Sequence, residues 1–248
     1  MRPLPDRADA PRAPVPKGVT HVRKGDSRRE QIIETAERLF YRGGYEQTSV
    51  QDIIDALAYS KGGFYHHFES KLALLTAICE SRAEQTRRAA QSAVDACQGG
   101  PVDKLNALFE STSLYQENNL DYIGLLLRVA YREDGALMRE KIKAYSLRAN
   151  TPILDAIIAD GVRKRIFFVP HANLASELIL RLGAQFTDEI AFQLNARPTE
   201  DVFLPMLLEK LELYRHAVER ILEAPFGSVT LFSLDRLTIV CRTVLSHT

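Results

Sequence analysis

Two short amphipathic segments, each opened by a hydroxyl residue and joined at Ala58-Tyr59, constrain this chain more than any other feature. The first reads Thr48-Ser49-Val50-Gln51-Asp52-Ile53-Ile54 and continues to Leu57. Thr48 is placed as an N-cap with Gln51 three residues on, and Val50, Ile53, Ile54 and Leu57 form one apolar stripe. The second reads Ser60-Lys61-Gly62-Gly63-Phe64-Tyr65-His66-His67-Phe68, with Ser60 as its cap. Phe64 and Phe68 share a helix face and can pack on Ile53, Leu57 and Leu39, which turns Lys61, Gly62, Tyr65 and His66 outward. Two short helices at this separation, the second with an exposed polar face, form a helix-turn-helix unit.

The glycine pair sharpens that reading. Adjacent glycines inside a helix cost about 1 kcal/mol each relative to alanine, and close approach of the helix backbone to DNA is a reason to keep them. Lys61 can reach a guanine edge or a phosphate. With so few base-reaching side chains, DNA shape and deformability are expected to contribute to specificity.

The flanking chain reads as helix throughout. A capping-box pattern at Ser27-Arg28-Arg29-Glu30 opens a helix whose stripe is Ile32, Ile33, Ala36, Leu39 and Phe40, and Gly43-Gly44 ends it. Ser70 caps a longer helix with a stripe of Leu72, Leu75, Ile78, Cys79 and Ala83, ended by Gly99-Gly100-Pro101. Helical patterns follow over about 102–117, 120–132, 136–164, 171–195 and 199–223, and no stretch argues for a sheet. Pro152 predicts a kink or restart, because it pushes Thr151 away from the α region. After Pro225, Val229-Thr230-Leu231-Phe232 has strand-like composition while Ser233 could cap a last helix through Leu245; helix is the expectation. The chain therefore divides into a disordered basic arm (1–25), a helix-turn-helix head (26–72) and a larger helical domain (73–248), an all-α fold.

Composition narrows the function classes. Hydrophobic residues make up 46% and charged residues 26% of 248, ordinary for a chain that buries a sizeable core. Zero net charge gives the whole chain no pull towards a polyanion. The first thirty residues are different: Arg2, Arg7, Arg12, Lys17, Arg23, Lys24, Arg28 and Arg29 face only Asp6, Asp9, Asp26 and Glu30, so contact with a polyanion would be local. Cys79, Cys97 and Cys241 have no CxxC spacing, which fits a reducing compartment, and neither a secretory core nor an eighteen-residue apolar run occurs. A cytoplasmic protein without membrane contact is expected. No G-x-S-x-G, H-E-x-x-H or phosphate loop is found, so neither an enzyme nor a cofactor is expected. His66 and His67 point about 100° apart on a helix and cannot chelate one ion together, so no metal site is expected.

Residues 28–80, through the segments quoted above and Ser70-Lys71-Leu72-Ala73-Leu74-Leu75, resemble the DNA-binding domain of the TetR family of bacterial transcriptional regulators. The resemblance implies a homodimer with a three-helix head, a fourth helix linking it to a ligand-binding and dimerisation domain, and release from a palindromic operator on effector binding. Its DNA-contacting set would be Thr48, Ser60, Lys61, Gly62, Gly63, Tyr65, His66, His67 and Lys71, with Tyr65, His67 and Lys71 placed like the family's phosphate contacts. Two departures bear on base contacts. Ala58 stands where the family often has glycine, and must avoid a left-handed conformation or bear a cost of about 1 kcal/mol. Tyr59 replaces a small aliphatic residue, and Gly63 replaces a small hydroxyl or methyl side chain. A co-regulator that keeps the fold but acts through protein contacts alone is the competing class, separated by salt-dependent DNA binding.

The effector is not identifiable from the sequence. Phe109, Tyr115, Tyr122, Tyr131, Tyr145 and Phe186 lie on helices that would surround a cavity, and as a group are expected to contribute to its lining although each singly reads as core. Arg128, Arg148, Arg181, Asp188 and Glu189 interrupt the same apolar helices; Arg128 and Tyr131 are the first candidates for selecting a polar effector. Leu174, Leu178, Leu182, Phe186 and Ile190, then Leu204, Leu207, Leu208, Leu211, Tyr214 and Val218, give two helix faces broad enough for a four-helix dimer contact. Closure of the subunit's own core is the alternative for these stripes.

Overall fold

The computed structural model describes residues 24–117, 119, 130, 131 and 135–231, with positions 233, 235, 238, 239, 242, 243 and 245 beyond them. Among the described residues there are eight helices and no strand: α1 (Lys24–Gly43), α2 (Val50–Ala56), α3 (Lys61–His67), α4 (Lys71–Ala96), α5 (Pro101–Glu117), α6 (Ala136–Arg163), α7 (Ala172–Asn195) and α8 (Glu200–Leu222). None of them is long and apolar enough to cross a membrane. The expected helix over 120–132 and most of the basic arm lie outside the described residues.

α1 starts at Lys24, so the expected cap Ser27 sits inside it, exposed. Once packing of Ile32, Ala36 and Phe40 holds the helix, each further residue adds a hydrogen bond at little cost, and the helix extends upstream. Those three join Ile53, Phe64, Phe68, Leu74, Leu75 and Ile78 in the head core. α4 thus gives its first turns to the head, across the expected border at residue 72. Leu72 does not join them: at 44% exposure in the first turn it stays in solvent, and Leu74 takes its place. Met138 of α6 closes the head core from the other domain, fully buried.

A second core lies between α4, α5, α6, α7 and α8, centred on Leu105, Leu154, Ile158, Phe167, Ile179, Val218 and Leu222. α6 runs through Pro152 without the restart that was one of the two expected outcomes. The proline removes the N–H that would bond the carbonyl of residue 148; in the turn before it the Thr151 hydroxyl donates to the Leu147 carbonyl at 2.8 Å and the Asn150 amide to that of Ser146 at 2.8 Å. Ile153, Leu154, Ile157 and Ile158 then bury the following turns in this core. α6 ends at Arg163, past Asp160-Gly161, because Gly161 is a packing glycine: a Cβ there would enter the Phe167 ring.

Residues 228–231 are an irregular strap. Val229 and Leu231 are buried in the second core. Asn106 on α5 donates to the Ser228 carbonyl at 3.0 Å and accepts from the Thr230 N–H at 2.8 Å, while Glu219 accepts from the Val229 N–H at 3.1 Å. Beyond the strap, the described positions Asp235, Thr238, Ile239, Arg242, Thr243 and Leu245 are helical.

Candidate nucleic-acid interface and ligand cavity

The head presents α3 on its surface. Ser60 caps it, its hydroxyl oxygen accepting from the Gly63 N–H at 3.0 Å. Phe64 and Phe68 are buried with ring centroids 6.1 Å apart, so Lys61, Gly62, Tyr65 and His66 face solvent, and Gly63 and His67 lie at the margins. Tyr65 is 46% exposed although aromatic, held edge-on to Phe64 at 5.4 Å.

The two glycines answer different needs. A Cβ on Gly62 would meet nothing within 4 Å. A Cβ on Gly63 would lie 2.7 Å from Cε1 and Cζ of Tyr59. The departures at residues 59 and 63 are therefore one exchange of volume: a larger residue 59 fills the space that a side chain at 63 would use. The Tyr59 ring also meets Arg28, whose guanidinium lies 5.0 Å from its centroid, and Arg29 lies 5.2 Å from that of Phe68. Both arginines are exposed on α1 beside α3. In the sequence they are lost in the charge of the arm; their spacing to the turn at residue 59 is a tertiary fact. Ala58 does adopt the left-handed conformation, with φ 48°.

The cap expected at Thr48 is corrected by the structure, and Lys71, expected as a phosphate contact, is bonded within the head. The N-cap of α2 is Ser49, whose hydroxyl accepts from the Asp52 N–H at 3.1 Å while Asp52 accepts from the Ser49 N–H at 2.7 Å. The bonds it accepts from the Ser49 N–H and then from the Ser49 hydroxyl hold the Asp52 carboxyl below its usual range. Thr48 is buried instead, its hydroxyl donating to the Gly44 carbonyl at 2.9 Å, where it fastens the end of α1. Lys71 is engaged within the head: its ammonium donates to the carbonyls of Tyr45 (2.9 Å), Thr48 (3.2 Å) and Glu46 (3.3 Å), over the Tyr45 ring. An ammonium has three N–H donors, and all three are used.

The larger domain holds a partly open cavity of about 260 Å³ between α4, α5, α6, α7 and α8. Phe109 and Tyr131 line it as expected. Phe186 does not; it stacks at 5.7 Å behind Tyr214, which does. Tyr145 does not either, because it sits on the side of α6 that packs against the head core. Tyr122, Arg128 and the Tyr115 side chain lie outside the described residues. Gly183 lets Tyr214 cross α7, its hydroxyl donating to the Ile179 carbonyl at 2.9 Å.

One end of the cavity is charged. Asp188, buried, accepts from the Tyr131 hydroxyl at 2.8 Å and from Lys143 at 2.8 Å. Burial, then the bond to Asp188, raises the Tyr131 pKa, so the phenol stays a donor. For Lys143 burial pulls the other way, and bonds to Asp188 and Glu140 overcome it, leaving the pKa raised. Arg139 donates to the Ala130 carbonyl at 2.5 Å and lies against the rings of Tyr131 and Phe192. Arg139 and Lys143 escaped the sequence reading, although with Ser146, Leu147 and Asn150 they mark one face of α6 at helical spacing. Of the other charges that reading raised, Arg181 pairs with Glu177 and Glu189 with Lys210 outside the cavity, and Arg148 is exposed.

The head and cavity share elements. On α6, Arg139, Ile142 and Lys143 face the cavity while Met138, Ile142 and Tyr145 meet the head core. On α4, Thr86 faces the cavity, and one turn earlier Arg82 forms a two-pronged ion pair with Glu37 of α1 at 2.5 and 2.9 Å.

A helix-turn-helix head on a helical domain with an internal cavity defines a DNA-binding regulator, and comparison with known proteins agrees. Residues 32–78 match the family described as bacterial regulatory proteins, tetR family. The probable HTH-type transcriptional regulator YttP of Bacillus subtilis (strain 168) is 26% identical over 202 residues, covering 78% of this chain and 95% of that one. Another relative, the uncharacterized HTH-type transcriptional regulator YerO of the same organism, is 46% identical over 55 residues, 22% of this chain and 19% of its own length. The crystal structure of a TetR-family transcriptional regulator from Pectobacterium atrosepticum shares the fold, with a TM-score of 0.61 and 20% identity over 82% of this chain and 97% of that one. Residues 32–78 thus match the tetR-family DNA-binding domain, and over most of its length the chain is similar to TetR-family transcriptional regulators.

Proposed function

We propose that the protein is a repressor that binds a palindromic operator as a homodimer and leaves it when a small molecule fills the cavity. The observation that carries this reading is the double use of α6: two successive turns wall the cavity on one side and the head core on the other, with Ile142 serving both. A ligand that favours one position of these turns favours one position of the head, and so shifts the population between DNA-competent and DNA-incompetent states. Two half-sites on one face of B-DNA lie about 34 Å apart, so a modest change in head spacing removes contacts from both.

In this reading Lys61 and the bare backbone at Gly62 meet base edges, and Tyr65, His66, His67, Arg28 and Arg29 hold phosphates. Lys71 and Thr48 act by fixing the α1–α2 turn, and Ser60 by capping α3. The partner subunit would cover the stripe Leu174, Leu178 and Leu182 on α7, which is 57%, 48% and 37% exposed, together with Leu208 on α8. Of the other residues of the α8 stripe, Leu207, Leu211, Tyr214 and Val218 are buried within the subunit and Leu204 is half-buried. The test is selection of bound duplexes from a random-sequence pool by the full chain, followed by sedimentation of the complex. A two-fold symmetric consensus with two protomers per duplex is expected; an asymmetric consensus bound by one protomer refutes the reading.

A further inference from the structure

The cavity's charges point to the kind of molecule it takes, an inference that rests on reading the cavity as the effector site. We infer that the effector is a small amphiphilic anion, a carboxylic acid with a compact hydrocarbon or aryl body, whose carboxylate pairs with Arg139.

Three charged side chains are found among the described lining residues: Arg139, Lys143 and Asp188. Two of these neutralise each other. Asp188 spends one oxygen on Lys143 and the other on the Tyr131 hydroxyl, both at 2.8 Å, and Lys143 also meets Glu140 at 2.6 Å. Arg139 is different. Its only hydrogen bond among the described residues is to a neutral acceptor, the Ala130 carbonyl, and no carboxylate there lies within ion-pair distance. A guanidinium carries five N–H donors in one plane, so edge donors remain for a ligand. Tyr131 and Phe192 hold its centre at 5.3 and 5.2 Å from their ring centroids, which fixes the plane and leaves the edge free.

The alternatives fit less well. A cationic ligand would have to take Asp188 from both its partners beside Arg139, which pairs with no carboxylate among the described residues, and Arg139 already lies against the Tyr131 and Phe192 rings that could attract it. A neutral apolar ligand would strip water from the guanidinium and supply no counter-charge. A carboxylate supplies that charge and matches the fork of donors.

The rest of the lining sets the body of the ligand. Leu180 lies eight residues before Asp188 on α7, about 12 Å along the helix axis. Near it stand Tyr214, bonded to the adjacent Ile179 carbonyl, and Phe109, edge-on to Tyr214 at 6.5 Å. The charged end is the one next to the head, because Met138 of the head core precedes Arg139 in the same turn. An anion arriving at Arg139 therefore acts on the turn of α6 that the head rests on.

Isothermal titration of the full chain with benzoate, 4-phenylbutyrate and octanoate, each against its primary amide at fixed ionic strength, tests this. At least one acid is expected to bind about tenfold or more tighter than its amide, the scale of a charge-assisted hydrogen bond. The preference should largely vanish in Arg139→Gln and survive in part in Arg139→Lys, which keeps the charge if the glutamine variant folds poorly. Binding of none of the acids, amides bound as tightly as acids, or an acid preference undiminished in a folded Arg139→Gln overturns the inference. Titration of the same preparations with a selected duplex separates the two readings. DNA binding with no acid preference removes the anion and leaves the regulator, whereas an acid preference without DNA binding upholds the anion and removes the repressor.

Discussion

Gly62→Ala should make the free protein more stable and its DNA complex weaker, a combination that few substitutions produce. The residue lies inside α3 at a φ that alanine accepts, since the positive-φ glycines are Gly44 and Gly227. An added methyl meets nothing within 4 Å, so the helix-propensity gain of about 1 kcal/mol is realised without a packing penalty. If the bare backbone is there for DNA, the same methyl must push the helix away from the groove, at a cost of about 1–3 kcal/mol, the range for overpacking a close contact. Operator affinity should then fall about fivefold or more. Gly63→Ala provides the contrast. Its Cβ would stand 2.7 Å from the Tyr59 ring, which has to move off Gly63, so the propensity gain is cancelled or reversed. In a Tyr59→Ala background the gain should return. Native-state hydrogen exchange of the α3 amides reads the stabilities, and fluorescence anisotropy reads the affinities. Gly62→Ala with unchanged affinity refutes the argument for close approach, and equal effects of Gly63→Ala in both backgrounds refute the exchange of volume with Tyr59.

Three further outcomes follow. Ala58→Gly relieves a left-handed alanine, worth about 1–2 kcal/mol, against about 0.4–1 kcal/mol of added freedom in the unfolded chain, so the head should gain about 0.5–1 kcal/mol in urea unfolding; a loss contradicts the strain. Arg82→Met leaves the largely buried Glu37 carboxylate without its guanidinium and should cost about 2–3 kcal/mol, discounted from the fully buried case for the part exposure of the pair. Adding Glu37→Leu should recover most of that, and a double variant worse than the single one contradicts it. Leu178→Glu places a charge in the exposed α7 stripe and should yield monomers in sedimentation at concentrations where the parent chain is dimeric; an unchanged dimer rules out that face.

The head was legible because its information is local. Capped, amphipathic segments with phenylalanines four residues apart fix α3, and the helix ends after 136 follow from apolar period and flanking breakers. What was missed is what tertiary contact decides. Thr48 and Ser49 are both good cap residues by type; which one caps depends on Thr48 being drawn to the Gly44 carbonyl. Lys71 reads as a free surface cation, and only the fold brings the carbonyls of Tyr45, Glu46 and Thr48 around it. Of the described aromatic candidates Phe109 and Tyr131 line the cavity and Phe186 and Tyr145 do not, because an aromatic on a buried helix can line a cavity, back a lining residue like Phe186, or face another core like Tyr145. The charged end depends on α6 and α7 meeting so that Lys143 reaches Asp188, 45 residues away in sequence, which no local pattern encodes.

The account stands or falls on α3 reading DNA, and the most direct measurement is an anisotropy titration of a selected duplex and its scrambled counterpart with the parent chain and Lys61→Ala, at two salt concentrations. The parent chain should prefer the selected duplex and weaken as salt rises. Lys61→Ala should lose most of that preference while sedimenting like the parent. Equal binding of both duplexes by the parent chain, or a preference untouched by Lys61→Ala, would contradict the account.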